Sequence, residues 1–246
     1  MVWPRGPAVL RYAAMTAKAI ETEFQHFFSG MSLMGWIGHF LAIAFFGVAV
    51  PLKQGFDFLD VTLLLAYACL PCLFAAPLVA ESVASRKAQP PAEGYQAQVI
   101  TPFLFAIAWN ALILGSGFFT VNAANWHGRV ILPPAAILVN VLILSMAATL
   151  FASAVTGWLS LNVATASIAK AHSRRLFLLV LVLVLMWIRL APESWKRVVG
   201  NRLIPGEISF VVLPLALLLT WLGLLIIRAG SRRRAEDAEG PLLKLD

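Results

Sequence analysis

Five stretches of this chain contain no Asp, Glu, Lys or Arg: Phe24 to Leu52, Val61 to Ala80, Gly94 to Gly128, Val130 to Ala169 and Ile208 to Ile227. A sixth, shorter one runs from Leu176 to Ile188. Each of the five reaches the roughly 20 residues that an α-helix needs to cross the hydrocarbon of a bilayer. Soluble domains are about a quarter charged and do not sustain such gaps. Here 60% of 246 residues are hydrophobic and 13% charged, and the mean hydropathy is +0.83. Backbone in lipid must bond to itself, so the stretches read as helices. The expectation is an all-α, polytopic membrane bundle of six spans: about Ser32 to Pro51, Val61 to Ala80, Val99 to Val121, Ile131 to Ala154, Leu176 to Leu190 and Phe210 to Ile227. The fifth is short, but Arg174, Arg175 and Arg189 bracket it, and their long stems carry the charge to the headgroups.

A net charge of +7 in such a chain bears on orientation rather than on nucleic acid, which is not expected as a partner. With the N-terminus inside, the inner segments hold Arg5, Arg11 and Lys18; Arg86 and Lys87; Lys170, Arg174 and Arg175; and Arg228, Arg232, Arg233, Arg234 and Lys244. That is most of the 19 basic residues, and the bias places both termini in the cytoplasm, at the cell's inner (plasma) membrane. The loop Ala191 to Glu207, with Lys196, Arg197 and Arg202, is an exception: basic and outside.

Three regions follow: a cytoplasmic N-terminal amphipathic helix in 1–31, the transmembrane domain in 32–228 and a cytoplasmic C-terminal tail in 229–246. From Pro4 to Phe28, Leu10, Ala13, Ala17, Ile20, Phe24 and Phe27 share one helical stripe, with Arg11, Lys18, Thr22 and Gln25 opposite. Such a helix either lies along the inner membrane surface or packs on the bundle. It is not a cleavable export signal. Glu81 to Gln98 reads as the longest polar inner loop, with Pro90-Pro91 preventing one continuous helix. The tail from Ser231 to Asp246 reads as loose beyond the headgroups.

Motifs for catalysis are scarce. No G-x-x-x-x-G-K-[ST] cradle for nucleotide phosphates and no H-E-x-x-H occur, so this chain is not expected to be an enzyme. His26, His39, His127 and His172 fall in four different segments, and only His39 lies inside an expected span. Cys69-Leu-Pro-Cys72 has redox-dithiol spacing, but it sits in mid-span without a second pair to pass electrons to, and packing around a Pro kink is the better reading. Gly30-Met31-Ser32-Leu33 has the form of a serine-protease G-x-S-x, yet no histidine base is expected opposite; Ser32 reads as a helix N-cap. Asn110 and Asn140 are the candidate pathway polar residues, and Gly115, Gly117, Ala147, Ala148, Ala152 and Gly157 permit close helix contact. No carboxylate lies within a span to couple transport to protons or sodium.

The layout resembles that of the membrane-spanning subunits of ABC-2 type transporters. Those have an amphipathic cytoplasmic helix, here Pro4 to Phe28, then six spans, with an inner loop after the second, here Glu81 to Gln98. Met146 to Met186 is similar to the family's small-residue fourth span, short basic turn and aliphatic fifth. Glu81 matches the family's Glu after the second span, with Ser82 to Ser85 where its Gly-Thr pair stands. The resemblance implies a permease, one of two copies or homologues, contacting membrane lipid and driven by a separate ABC ATPase that carries the ATP. Glu81, Arg86 and Lys87 would form the contact. It also implies short re-entrant helices in Ala191 to Glu207. The rival expectation is a non-catalytic membrane anchor or assembly subunit of a larger complex, binding haem or pigment through His39.

Overall fold

The computed structural model describes residues 17–26, 28, 29, 31–59, 61–85, 92–126, 128–190, 192, 194 and 212–239. Helical residues 17–26 and 28–29 form α1. Next come α2 (Leu33–Ala42), a π-helical segment (Ile43–Ala49), α3 (Val50–Gln54) and a 3-10 turn (Gly55–Leu59). Four long helices follow, α4 (Val61–Ser85), α5 (Ala92–Ala124), α6 (Ala135–Ser160) and α7 (Ala166–Leu190), and then α8 (Val212–Glu239). The described residues include no strand. Five segments are long and apolar enough to cross a membrane: Leu33–Leu59, Ala66–Ser85, Gly94–Ala124, Ala135–Ser160 and Val212–Glu236. The chain is thus a multi-pass membrane protein. α7 has the length of a span but carries Lys170, Arg174, Arg175 and Arg189, and it is not among the five.

Ser32 caps α2 as its sequence context suggests, its Oγ accepting the Gly35 amide at 3.1 Å. The π-helical segment displaces carbonyls from the usual ladder, and hydroxyls from two other helices take two of them. Tyr67 of α4 donates to Phe46 O at 2.6 Å and Thr120 of α5 to Gly47 O at 3.2 Å. Gly47 sits so close to α5 that a Cβ there would stand 2.9 Å from the Ser116 Cβ. Gly55, at φ +58°, then ends α3 in a conformation other residues resist.

α6 is the central helix, packed on α4, α5 and α8. Its buried face is small or polar, including Ser145, Ala147, Thr149, Ala152, Ser153, Thr156 and Gly157. Such residues let helix backbones approach where lipid offers no hydrophobic drive for association. Thr149 and Ser160 satisfy their hydroxyls on the carbonyls one turn back, Ser145 O and Thr156 O, both at 2.7 Å.

Several boundaries differ from the sequence expectation. The fourth span begins at Ala135 rather than Ile131, because Pro134 holds an extended ψ of 136° and Asn122 pins the approach: its Oδ1 accepts Ile131 N at 2.6 Å and its Nδ2 donates to Ile131 O at 2.9 Å. The polar loop Glu81 to Gln98 is mostly helix, since α4 continues to Ser85 and α5 starts at Ala92. Glu81, Ser82 and Gln98 stay helical because each finds a partner on another helix. The basic turn before the fifth span is likewise helical from Ala166. α8 runs to Glu239, and within the expected loose tail Ser231 and Arg234 are buried. Pro4 to Thr16 and all of Ala191 to Glu207 except Pro192 and Ser194 lie outside the described residues, with the re-entrant expectation among them.

Candidate functional site

The ends of α4, α6 and α8 and the starts of α5 and α7 gather at one end of the bundle, which carries Lys170, Arg174, Arg175, Arg228 and Arg232 to Arg234. α5, with 33 residues, is about 50 Å long at 1.5 Å per residue, more than the roughly 30 Å of a bilayer core, so this basic end has room to stand clear of the hydrocarbon. Its interior is made of Val79, Val83, Tyr95, Val99, Ala154 and Ile227. Tyr95 is fully buried in a slot between two glycines. A Cβ on Gly230 would lie 2.5 Å from its ring, and one on Gly157 2.9 Å from its oxygen.

Around that slot, polar side chains tie the helices pairwise. Arg234 of α8, 6% exposed, donates to Gln98 Oε1 of α5 at 2.6 Å. Arg233 lies over the Trp158 ring of α6, 5.6 Å from its centroid. Ser82 of α4 donates to Glu23 of α1 at 2.7 Å, and the Glu23 side chain is buried. Lys170 of α7 pairs with Glu81 of α4 at 2.5 Å, both partly exposed. α1 is also held by Phe28, whose ring stacks on Trp36 at 5.6 Å and meets Phe105 edge-on at 5.9 Å.

Between α1, α2, α4 and α7 opens a cleft of about 750 Å³. Glu23, Glu81, Lys170, Ser173 and Arg174 line its basic-end part, and Leu73, Phe74, Phe177 and Leu178 the part toward mid-bundle. Ser173 is 6% exposed, and its Oγ has no hydrogen-bond partner among the described residues. His39 stands on the α2 wall, its Nδ1 2.7 Å from Gly35 O and its ring edge-on to Phe105 and Trp109, each at 5.3 Å.

Of the site residues expected from sequence, Glu81 falls on this cleft, while Arg86 and Lys87 lie outside the described residues. Asn110 and Asn140 are 2% and 1% exposed in the interior of this one chain, and Asn110 Oδ1 has no partner among the described residues. Cys69 and Cys72 are free thiols; Cys72 is buried 3.6 Å from Thr149 Oγ1, and Cys69 is exposed on the bundle surface. The described residues contain no cluster of three or more His, Cys, Asp or Glu able to hold a metal ion. His26 lines the cleft, His172 is exposed, and His127 lies outside the described residues.

Sequence reading counted Lys170 and Arg174 only as membrane-flanking charges and passed over Ser173. Their spacing carried a signal: positions 170, 173, 174, 177 and 178 share one face of a helix. What was not visible was that this face would be turned toward α4. No family model, curated protein or solved structure matches the chain.

Proposed function

We propose that the chain is the membrane-spanning half of an ATP-driven exporter of the ABC-2 type, working as a pair and powered by an ATPase on a separate polypeptide. In this reading it crosses the membrane six times, α7 being the fifth crossing. Both termini are cytoplasmic, α1 is the amphipathic helix along the inner surface, and the segment 86–91 with Glu81 receives the ATPase. The observation that carries the reading is the bracing of the two helices joined by that segment. α4 leaves it bonded to α1 through Ser82 and Glu23 and to α7 through Glu81 and Lys170; α5 enters it bonded to α8 through Gln98 and Arg234. A displacement at 86–91 would therefore be carried to three further helices through specific bonds. Packed side chains and hydrogen bonds of this kind are the physical means by which a local push moves a bundle.

The test is purification in mild detergent followed by reconstitution. The expected result is a co-purifying ATPase whose ATP turnover depends on this chain and falls when Glu81 is replaced. Repeated isolation without an ATPase, and no chain-dependent turnover, would overturn the reading. An absorption spectrum with a Soret band would favour the haem-binding anchor instead.

A further inference from the structure

The two long walls of the cleft carry the same gradient. On α4, Leu73, Phe74, Pro77 and Leu78 lead along one face to Glu81, Ser82 and Ser85. On α7, which runs the other way, Lys170, Ser173 and Arg174 lead along one face to Phe177 and Leu178. Spacings of three and four residues keep each set on a single helical face. The antiparallel helices therefore present polar groups to each other at the basic end and apolar groups toward mid-bundle. A cavity with this division fits a molecule that is polar at one end and greasy at the other, and about 750 Å³ is within the range of sites that enclose a small ligand.

Glu23, Glu81, Lys170 and Arg174 balance in formal charge at the polar end, so the groups that single out a ligand there are those left open. The Glu81 carboxylate is neutralised by Lys170, and the buried Glu23 accepts the Ser82 hydroxyl. Arg174, by contrast, forms no ion pair with a described residue. A guanidinium is suited to bidentate recognition of a phosphate group. Beside it Ser173 keeps a buried hydroxyl with no partner among the described residues, an arrangement that costs stability unless something occupies the cleft to bond it.

We infer that the cleft between α1, α2, α4 and α7 is a binding site for one membrane phospholipid. Its phosphate is held by Arg174 and Ser173, and an acyl chain lies along Leu73, Phe74, Phe177 and Leu178. The cleft faces outward rather than being sealed, so the rest of the chains can remain in the bilayer. The inference stands apart from the transporter reading, since the site needs no ATPase to be occupied.

The experiment uses the full chain, purified in neutral detergent and titrated separately with phosphatidylglycerol, diacylglycerol and inorganic phosphate; bound species are counted by native mass spectrometry. One phosphatidylglycerol per chain is expected to bind about tenfold more tightly than diacylglycerol, which has the acyl chains but no phosphate, a difference the size of one charge-assisted hydrogen-bonded contact. Arg174→Ala removes that preference, and Leu178→Trp, which fills the apolar part from an exposed position, weakens both lipids. Arg228→Ala, an exposed charge on α8, leaves binding unchanged. Equal retention of the two lipids, or an Arg174→Ala chain that keeps the preference, overturns the inference. So does inorganic phosphate binding through Arg174 as tightly as the lipid, which would make the site one for a free anion.

Discussion

The two ends of the bundle are held together by different means. Where α3 turns into α4, the interior is aromatic: Phe58 is fully buried, edge-on to Tyr67 at 5.1 Å and Phe118 at 5.8 Å, and its ring fills the space left by Gly117. At the basic end the apolar interior is alanine, valine, one isoleucine and a single tyrosine, and the helices are joined by Ser82–Glu23, Glu81–Lys170 and Gln98–Arg234. Large interlocking rings resist displacement because any shift opens a void. Of the polar bonds at the basic end only Glu81–Lys170 is partly exposed and cheap to break; the other two join buried groups that are costly to leave unpaired. The aromatic end is the anchor of this fold by shape; the basic end, with its cleft, is held by specific polar partners.

Substitutions at the two ends should separate in size. Phe58→Ala is expected to have the largest effect, about 3–5 kcal/mol of lost stability, as is usual for a buried aromatic ring, read as a fall in thermal unfolding temperature in detergent. A loss well under this would mean that the aromatic end is not the anchor. Next is Arg234→Ala, which leaves the buried Gln98 without its charged donor and should cost about 1.5–3 kcal/mol; the exposed neighbour Arg232→Ala should be silent.

Gly230→Ala drives a methyl into the closed Tyr95 ring, an overpacking worth about 1–3 kcal/mol that a Gly230→Ala, Tyr95→Ala double variant should partly relieve. Additive losses in that double variant would show that the ring is not what the methyl meets. The smallest effect on stability is expected from Glu81→Gln. Its partly exposed pair with Lys170 contributes about 1 kcal/mol or less, yet in the proposed transporter the substitution should lower the chain-dependent ATP turnover. Exchanging the pair, Glu81→Lys with Lys170→Glu, should restore the fold without restoring contact with the ATPase.

Much of the architecture was legible in the residues. Long charge-free runs located the helices, and Ser32 was recognisable as a cap. Helix ends were harder to read at the basic end, where polarity was taken as a sign of loop. Glu81, Ser82, Gln98 and Arg234 are polar yet helical, because their partners lie 59 to 136 positions away in the chain. Local sequence carries no mark of a partner at that distance. The cleft was hidden for the same reason: each of its walls reads alone as an ordinary amphipathic helix end.

The amino-acid sequence alone determined that this chain lives in a membrane as a bundle of helices, since hydrocarbon admits no uncharged run of this length in any other satisfied form. Tertiary structure decided which faces of those helices meet. It seated Tyr95 between Gly157 and Gly230, gave Glu81 to Lys170 and Glu23 to Ser82, and left Ser173 and Arg174 facing a cavity. Helical periodicity states which residues share a face; only packing in three dimensions states what that face is turned toward.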